Sequence, residues 1–203
     1  MATCDLTLES YRHHAVEYVQ KFEARPSREA DVALTLRLAG VPRPRLLEVG
    51  FGSAREAGLL LQAGARYQGI DYSVEFVELA RARFPQGDFR EGDVRTCPLP
   101  SGLDAVFAIA SLVHLPRAQL MAVLRRLSRA LHPRGVFVME IRASNRYRKE
   151  IRTDDFGSPR TFYFFNEAGV RKLAAGAGLV VEKLEKRAYG VKPWWWMVMR
   201  RAK

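Results

Sequence analysis

The stretch LLEVGFGSAREAG, residues 46–58, constrains the fold more than any other part of the chain. An apolar, strand-like run leads directly into Gly50 and Gly52, and a helix-forming run of small and charged residues follows. Glycine adopts the backbone conformations of a tight turn and lets a ligand approach the main chain. The N–H groups that open the next helix attract negatively charged groups. The pattern therefore predicts a strand–turn–helix unit with a ligand-binding turn.

Strand and helix patterns alternate after residue 45. Strands are predicted for RLLEV, YQGID, LDAVFAIA and VFVMEI, with amphipathic helices between them. Such alternation is typical of a parallel sheet covered by helices on both faces. Near the C-terminus, VVEKLEKRAYG and WWWMVMRRA predict two strands joined by a turn too short for a parallel crossover. One strand of the sheet must therefore be reversed.

The composition limits the classes of function. A chain of 203 residues with 48% hydrophobic content is long enough for one well-buried domain. Its longest uncharged apolar runs are far shorter than a membrane-spanning helix, and its first residues do not resemble a secretory signal. We therefore expect a cytoplasmic protein with no membrane partner.

Cysteine and histidine are too few and too scattered for a metal centre. Cys4 and Cys97 lack a repeat spacing, which argues against a disulfide framework or a structural zinc site. The adjacent His13 and His14 cannot point the same way on a helix. No metal is therefore expected.

The formal net charge of +11 favours anionic partners in general. However, the arginines are spread along the whole chain, so a nucleic-acid partner is compatible with the charge but is not favoured. The three tryptophans at 194–196 are expected at one edge of the sheet, where alternate side chains face opposite helix layers. The alternative interpretation is an aromatic platform on which nucleic-acid bases stack.

The glycine turn admits several ligands, and the residues after it distinguish them. A nicotinamide site usually has a third glycine where Arg55 stands, which weakens but does not remove that interpretation. Asp71 ends the second strand about 20 residues after Gly50, where a carboxylate accepts hydrogen bonds from ribose hydroxyls. The alternative role for Asp71 is to cap the following helix.

Two further acids fit an adenosyl ligand. A short third strand is predicted for DFREGD, and Asp93 ends it. There Asp93 is able to accept from an adenine amino group with Val94 beside the ring, although a solvated turn aspartate is the alternative. Glu48 lies inside an apolar strand and needs a partner, such as a ligand ammonium group or loop N–H groups.

Together these residues resemble the class I S-adenosylmethionine-dependent methyltransferases, in particular the small bacterial type with a methyltransferase domain 11/25-like sequence. LLEVGFGSAR, GIDYS and GDVRTCPLP are similar to the first three motifs of the family, and LDAVFAIASLVHLP to its fourth strand and loop. YRHHAVEY resembles the lid helix of small bacterial members. One departure is Ala54, which replaces the third glycine and is expected to open a helix, where alanine is favourable.

The resemblance implies an α/β fold, a Rossmann-like three-layer sandwich with a mostly parallel seven-stranded sheet and one antiparallel strand near the C-terminus. It implies a helical lid over residues 1–42 and a cofactor-binding domain over residues 43–203, in one compact unit. It also implies S-adenosylmethionine as cofactor and S-adenosylhomocysteine as product. Cofactor contacts are implied for Glu48, Gly50, Phe51, Gly52, Ser53, Asp71, Tyr72, Asp93, Val94, Ala108 and Ala110.

The expected reaction is methyl transfer to an oxygen or nitrogen of a small molecule. Tyr11, Tyr18 and Arg142 are the substrate-side candidates. His114 is the candidate base, and a structural histidine that holds a loop is the alternative. The arginine-rich segment 142–160 suits either a pocket wall for an anionic acceptor or a solvated loop. The alternative functions are an RNA methyltransferase and a nicotinamide-dependent oxidoreductase.

Overall fold

The computed structural model describes residues 5–26 and 28–202, so Cys4 lies outside the described part of the chain. The helices are α1 (Leu6–His13), α2 (Ala15–Glu23), α3 (Glu29–Ala39), α4 (Arg55–Gln62), α5 (Val74–Arg83), α6 (Arg117–Ala130) and α7 (Glu167–Gly176). The strands are β1 (Arg45–Val49), β2 (Arg66–Asp71), β3 (Asp88–Glu91), β4 (Leu103–Ile109), β5 (Leu131–Arg142), β6 (Arg148–Thr153), β7 (Pro159–Phe164), β8 (Leu179–Tyr189) and β9 (Lys192–Arg201). A short 3-10 helix covers Leu112–His114.

Seven of these strands form one sheet in the order β3-β2-β1-β4-β5-β9-β8. The first five strands pair in parallel, and β9 runs antiparallel to both β5 and β8. The predicted α/β fold, with a mostly parallel seven-stranded sheet and one reversed strand, is confirmed. The strand order reverses between β1 and β4, and such a reversal opens a crevice beyond the carboxyl ends of the strands.

Two apolar layers cover the two faces of the sheet. Alternate residues of each strand enter opposite layers, as the two-residue period of a strand requires. Trp195 belongs to the layer with α6 and α7, whereas Trp196 belongs to the layer with α4 and α5. The alternation predicted for the tryptophans is thus present, but β9 lies between β5 and β8 and not at the edge. Trp195 and Trp196 are buried, which leaves no platform of three exposed rings for nucleic-acid bases.

The N-terminal helices divide between two places. α3 packs against α4, β4 and β5 and so forms part of a helical layer. α1 and α2 instead lie over the carboxyl ends of the strands, where both contact α5 and α1 contacts β7. Within residues 5–26 and 28–202 no helix has the length and apolar character that a membrane crossing needs.

The segment after β5 folds into an antiparallel hairpin of β6 and β7, which the sequence patterns did not predict. Residues 148–153 pair with residues 159–164. The indole nitrogen of Trp195 donates a 2.9 Å hydrogen bond to the carbonyl of Phe165, directly after the hairpin. Strand β7 of the hairpin also packs against α1. The hairpin therefore lies at the carboxyl ends of the parallel strands, as α1 and α2 do.

Candidate functional site

A cavity of about 1060 Å³ lies at the carboxyl ends of the parallel strands. Its floor is formed by the residues that follow β1, β2, β3 and β4, and its cover by α1, α2 and the β6–β7 hairpin. This is the place where open α/β sheets bind ligands, because the loops of adjacent strands diverge there.

Most of the residues expected at a cofactor reach this cavity. The wall includes Gly50, Phe51, Gly52, Ser53, Asp71, Tyr72, Asp93, Val94 and Ala110. The substrate-side candidates Tyr11, Tyr18 and Arg142 line it as well, and so does His114.

Glu48 and Ala108 do not line the cavity. The Glu48 carboxylate lies behind the glycine turn and accepts a 2.7 Å hydrogen bond from the hydroxyl of Tyr67 on β2. Burial raises the pKa of Glu48 well above its usual range, and the charge of Glu56 adds to the effect. The partner that this buried acid requires is thus a tyrosine of the neighbouring strand. Ala108 is fully buried in the sheet, because its side chain enters the layer with α6.

The glycine turn depends on left-handed backbone conformations. Gly50 has φ +67°, and a Cβ there would lie 2.4 Å from Cβ of Ser111. Gly52 has φ +52° with no atom within 4 Å of the position that a Cβ would take. Ala54, expected to open the helix, instead precedes it with φ +54°, and α4 begins at Arg55. Alanine in this conformation costs roughly 1–2 kcal/mol, so the replacement of the third glycine is strained and not favourable.

Asp71 ties the second strand to the glycine turn. Its two carboxylate oxygens accept 3.0 Å hydrogen bonds from the backbone N–H groups of Gly52 and Ser73. Ser73, not Asp71, caps α5 through its own hydroxyl. Burial raises the pKa of Asp71 to about 6, although these backbone hydrogen bonds oppose the shift. The carboxylate is therefore held in place and charged at neutral pH.

Asp93 has a charged partner on its own turn. Arg95 donates hydrogen bonds of 2.7 and 2.9 Å to the Asp93 carboxylate. Partial burial alone would raise the pKa of Asp93, but the hydrogen bonds and charge of Arg95 hold it below its usual value. Asp93 is thus anchored at the cavity wall, with Val94 beside it.

Two residues after β4 complete this half of the cavity, and one of them was not among the sequence candidates. Ala110 has φ +58°, a strained value of the kind that accumulates at functional sites. The buried hydroxyl of Ser111 lines the cavity and has no hydrogen-bond partner within the described ranges. A buried hydroxyl without a partner costs free energy unless a ligand supplies one. Its position directly after the fourth strand was the signal that could have identified it.

Tyr11 of α1 forms a hydrogen-bonded group with His114 and Arg160. The Nδ1 atom of His114 lies 2.5 Å from the carbonyl of Thr161, so Nδ1 carries the proton. Nε2 then accepts from the Tyr11 hydroxyl at 3.0 Å, and that hydroxyl accepts from Arg160 at 3.1 Å. Burial lowers the pKa of His114 to about 4, which leaves the ring neutral.

Tyr18 joins α2 to the hairpin through Asp154. The Tyr18 hydroxyl donates to the Asp154 carboxylate, and the Ser10 hydroxyl donates to the same carboxylate at 2.9 Å. The N–H groups of Phe156 and Ser158 also donate to Asp154, at 2.8 and 3.1 Å. The burial of Tyr18 and the hydrogen bond to Asp154 raise the pKa of Tyr18, so its hydroxyl keeps its proton.

The far wall of the cavity is cationic. Arg142 lies at the end of β5, and Arg25, Arg152 and Lys192 line the cavity with it; we call these four residues the cationic cluster. Burial, followed by the charges of Arg152, Arg160 and Arg25, lowers the pKa of Arg142 to about 10. The rings of Phe162 and Trp194 lie against its guanidinium group. Sequence patterns did not bring Arg25 or Lys192 to this wall, because tertiary packing alone joins such distant segments.

No group of three or more histidine, cysteine, aspartate or glutamate side chains in the described segments could hold a metal ion. Cys97 is a free thiol whose pKa is raised by burial. The raised pKa keeps the Cys97 thiol protonated, and Cys97 does not line the cavity.

Comparison with known proteins agrees with this geometry. A family of methyltransferase domains matches residues 46–135. A probable S-adenosylmethionine-dependent methyltransferase of Mycolicibacterium smegmatis is 28% identical over 174 residues, with 73% of this chain and 66% of that protein covered. A trans-aconitate 2-methyltransferase of Rhodopseudomonas palustris is 32% identical over 127 residues, which cover 62% of this chain and 48% of that protein. The chain thus spans about half to two thirds of the length of these relatives.

Solved structures share the fold. The 1,6-didemethyltoxoflavin-N1-methyltransferase of Burkholderia thailandensis, solved with 1,6-didemethyltoxoflavin and S-adenosylhomocysteine, superposes with a TM-score of 0.78 at 17% identity. The match covers 97% of this chain and 87% of that one. The matched domain, the sheet order and the acids at the strand ends all indicate a methyltransferase fold with its cofactor site at the carboxyl ends of the strands. Residues 46–135 therefore belong to a methyltransferase-domain family, and the fold is that of the class I S-adenosylmethionine-dependent methyltransferases, as the motifs indicated.

Proposed function

We propose that this protein transfers a methyl group from S-adenosylmethionine to an oxygen or nitrogen atom of a small molecule bound in the cavity. The observation that carries the proposal is the division of one cavity into two halves. One half contains the glycine turn, Asp71 and the unpartnered Ser111 hydroxyl, and the other is aromatic and cationic. Relatives named for trans-aconitate and 1,6-didemethyltoxoflavin support a small-molecule acceptor.

The first half fits an adenosyl cofactor. Asp71 would accept from the ribose hydroxyls, because each of its oxygens already holds one backbone N–H and keeps a free lone pair. Asp93 and Val94 would bind the adenine. The turn from Gly50 to Ser53 and the Ser111 hydroxyl would receive the aminoacyl end, since Gly52 leaves open space there. Glu48 and Ala108 lie outside this set and would act only by supporting the turn and the strand.

The residues of the chain position the reaction more than they activate it. The bound cofactor supplies a methyl group that is already activated by its sulfonium sulfur. Orientation and exclusion of water then account for much of the barrier reduction. In this proposal α1 and α2 act as the lid of the domain that begins at residue 43, and Tyr18 and Asp154 hold that lid in place.

Tyr11 is the residue best placed to receive a hydrogen bond from the acceptor. Its hydroxyl donates to His114 and accepts from Arg160, which leaves one lone pair free. His114 is a positioning residue in this scheme, because its Nε2 atom is occupied by Tyr11 and its low pKa makes it a weak base. An acceptor that is already anionic needs no base.

The cationic wall favours an anionic acceptor over an RNA strand. Arg142 is 7% exposed and lies at the inner end of the wall, under α1, α2 and the hairpin, so a polymer backbone would not reach it. Membership of the methyltransferase family removes the reason for a nicotinamide cofactor. A cytoplasmic location remains part of the proposal.

Calorimetry on an Asp71→Asn variant tests the cofactor site. S-adenosylhomocysteine should bind the wild-type protein, and the variant should lose at least about tenfold in affinity, because hydrogen bonds to a charged group contribute roughly 1.5–3 kcal/mol. The matched control is Asp88→Asn on edge strand β3, whose carboxylate bonds to Gln68 and Arg90 outside the cavity. This control should bind as the wild type does.

Two results would contradict the proposal. One is the absence of binding heat with both S-adenosylmethionine and S-adenosylhomocysteine. The other is heat with a reduced nicotinamide dinucleotide in their place. Wild-type affinity in Asp71→Asn would remove Asp71 from the ribose site.

A further inference from the structure

We propose that Arg142, assisted by Arg25 and Lys192, binds a carboxylate group of the methyl acceptor, so that the substrates of this protein are small carboxylic acids. The inference rests on the proposed function, because it assigns the second half of the same cavity. Four observations carry it: the Arg142 Nε atom that has no partner among the described residues, the pairing of the surrounding charges, the stacked rings and the burial of Arg142 at the inner end of the wall.

The Arg142 side chain is buried in the cavity wall. It is 7% exposed, and its Nε atom has no hydrogen-bond partner in the part of the chain that the structure describes. A buried charge without a counter-charge is costly, and proteins ordinarily pair such groups. Glu140 precedes it by two residues on β5, but Arg28 already binds that carboxylate at 2.8 Å. The missing counter-charge is therefore expected from a ligand.

The neighbouring cations divide into paired and unpaired groups. Arg152 binds Glu150 at 2.6 Å, and Arg160 lies 3.4 Å from Asp154. Across residues 5–26 and 28–202, by contrast, no ion pair is formed by Arg25, Arg142 or Lys192. Partial burial and the charges of Arg142, Arg25 and Arg152 lower the pKa of Lys192 by more than the charge of Asp155 raises it. An anion between them would relieve this repulsion.

The rings around Arg142 fix the orientation of its guanidinium group. The guanidinium carbon lies 4.0 Å from the centre of a Trp194 ring and 5.3 Å from the centre of Phe162. A guanidinium that rests on an aromatic face keeps its N–H donors at its edge, where a planar carboxylate pairs with two of them. The same rings offer apolar surface to the carbon skeleton of an acid.

The position of the cluster limits the size of the ligand. Arg142 lies at the inner end of the wall, whereas Arg25 and Lys192 are exposed where the cavity meets solvent. The helices α1 and α2, which carry Tyr11 and Tyr18, cover the cavity together with the hairpin, between this wall and the strand ends. A small organic acid fits between these elements, while a macromolecule with many anionic groups does not.

Titration of small acids into the protein tests the assignment. The probes are trans-aconitate, citrate and 4-hydroxybenzoate, each titrated into wild-type protein saturated with S-adenosylhomocysteine. At least one acid should bind, and the trimethyl ester of trans-aconitate should not, because it lacks the charges. Arg142→Gln should weaken the binding of that acid by at least about tenfold. The matched control is Arg129→Gln on the exposed face of α6, which should leave it unchanged.

Additional measurements separate a binding role from a structural one. Removal of an unpaired buried charge should not lower the melting temperature of the ligand-free protein, whereas loss of a structural arginine should. Lys192→Gln changes an exposed side chain and keeps the test available if Arg142→Gln does not fold; it should weaken acid binding several-fold.

Three outcomes would overturn the assignment. The first is failure of all three acids to bind the wild type. The second is unchanged acid binding in both variants. The third is a loss of S-adenosylhomocysteine affinity in Arg142→Gln without a loss of acid affinity. That result would show that Arg142 binds the aminoacyl carboxylate of the cofactor and not the acceptor. Failure of S-adenosylhomocysteine to bind the wild type contradicts the proposed function instead, and titration of the acids into cofactor-free protein still tests this site.

Discussion

His114 illustrates how burial changes the chemistry available to one residue. Its sequence position suggested a general base, and a histidine ordinarily titrates near neutral pH. In the structure Nδ1 is hydrogen-bonded to the carbonyl of Thr161 and Nε2 to the hydroxyl of Tyr11. Burial lowers the pKa of His114 to about 4. The ring is therefore suited to hold Tyr11 in place through a single tautomer.

We predict that His114 stays neutral, with its proton on Nδ1, from pH 8 down to pH 5. The sign follows from the lowered pKa, since the neutral form is favoured at every pH above about 4. Long-range ¹H–¹⁵N spectra of the imidazole nitrogens measure this, and His114→Ala assigns the signal. A midpoint near 6.5, or a proton on Nε2, would contradict the assigned hydrogen bonds.

At the scale of secondary-structure elements, the cover of the cavity is built by α1, α2 and the hairpin together. Their contacts meet at Asp154, whose side chain is fully buried and accepts hydrogen bonds from both helices and from its own turn. Thr7 and Thr161 add a further 3.0 Å link between α1 and β7. The helices α1 and α2 are therefore attached to the hairpin as well as to α5.

We predict that Asp154→Ala loosens the lid while the sheet stays intact. Loss of hydrogen bonds to a buried carboxylate costs roughly 2–5 kcal/mol and leaves the Tyr18 and Ser10 hydroxyls with only each other as partners. Hydrogen–deuterium exchange should rise in α1, α2 and the hairpin, with β1, β4 and β5 unchanged. The control is Asp155→Ala, the next residue, whose exposed carboxylate pairs with Lys21 at the surface. Equal exchange in the two variants would show that Asp154 does not hold the lid.

At the scale of the whole molecule, the cofactor half couples ligand binding to stability. A ligand present at 100 times its dissociation constant adds about 2.7 kcal/mol to the free energy of unfolding. The Asp71 carboxylate, with a pKa of about 6, is charged above that pH and protonated below it. Only the charged form accepts hydrogen bonds from both ribose hydroxyls, so the stabilisation should be greater at high pH.

We predict that S-adenosylhomocysteine at this concentration raises the melting temperature by about 5–10 °C at pH 7.5. At pH 5, with the ligand concentration held fixed, the stabilisation should fall by about 1.4 kcal/mol, because roughly one tenth of Asp71 stays ionised. Differential scanning fluorimetry measures both values. In Asp71→Asn the shift should be smaller and independent of pH; an equal shift at both pH values in the wild type would assign the ribose contact elsewhere.

The sequence predictions were accurate where the pattern involves residues that are adjacent in the chain, and less accurate where it depends on contacts between distant segments. The glycine turn and Asp71 could be located because a strand end and its turn are adjacent in the chain. The partner of Glu48 is Tyr67 because β2 pairs with β1, and this strand pairing is a tertiary contact that the local sequence does not show. Ala54 was expected in a helix, but one residue of difference in the helix start placed it in a strained turn.

By itself the sequence determined the family, the alternating layers and the edge of the sheet at which a ligand binds. These properties follow from periodic apolar residues and turn glycines, which act over a few positions. Only the tertiary structure decided that Arg25, Arg142 and Lys192 share one wall, that the 148–164 segment is a hairpin, and that the Ser111 hydroxyl has no hydrogen-bond partner among residues 5–26 and 28–202. Burial and pairing depend on contacts between distant segments, and those contacts decide which charged groups remain free to bind a ligand.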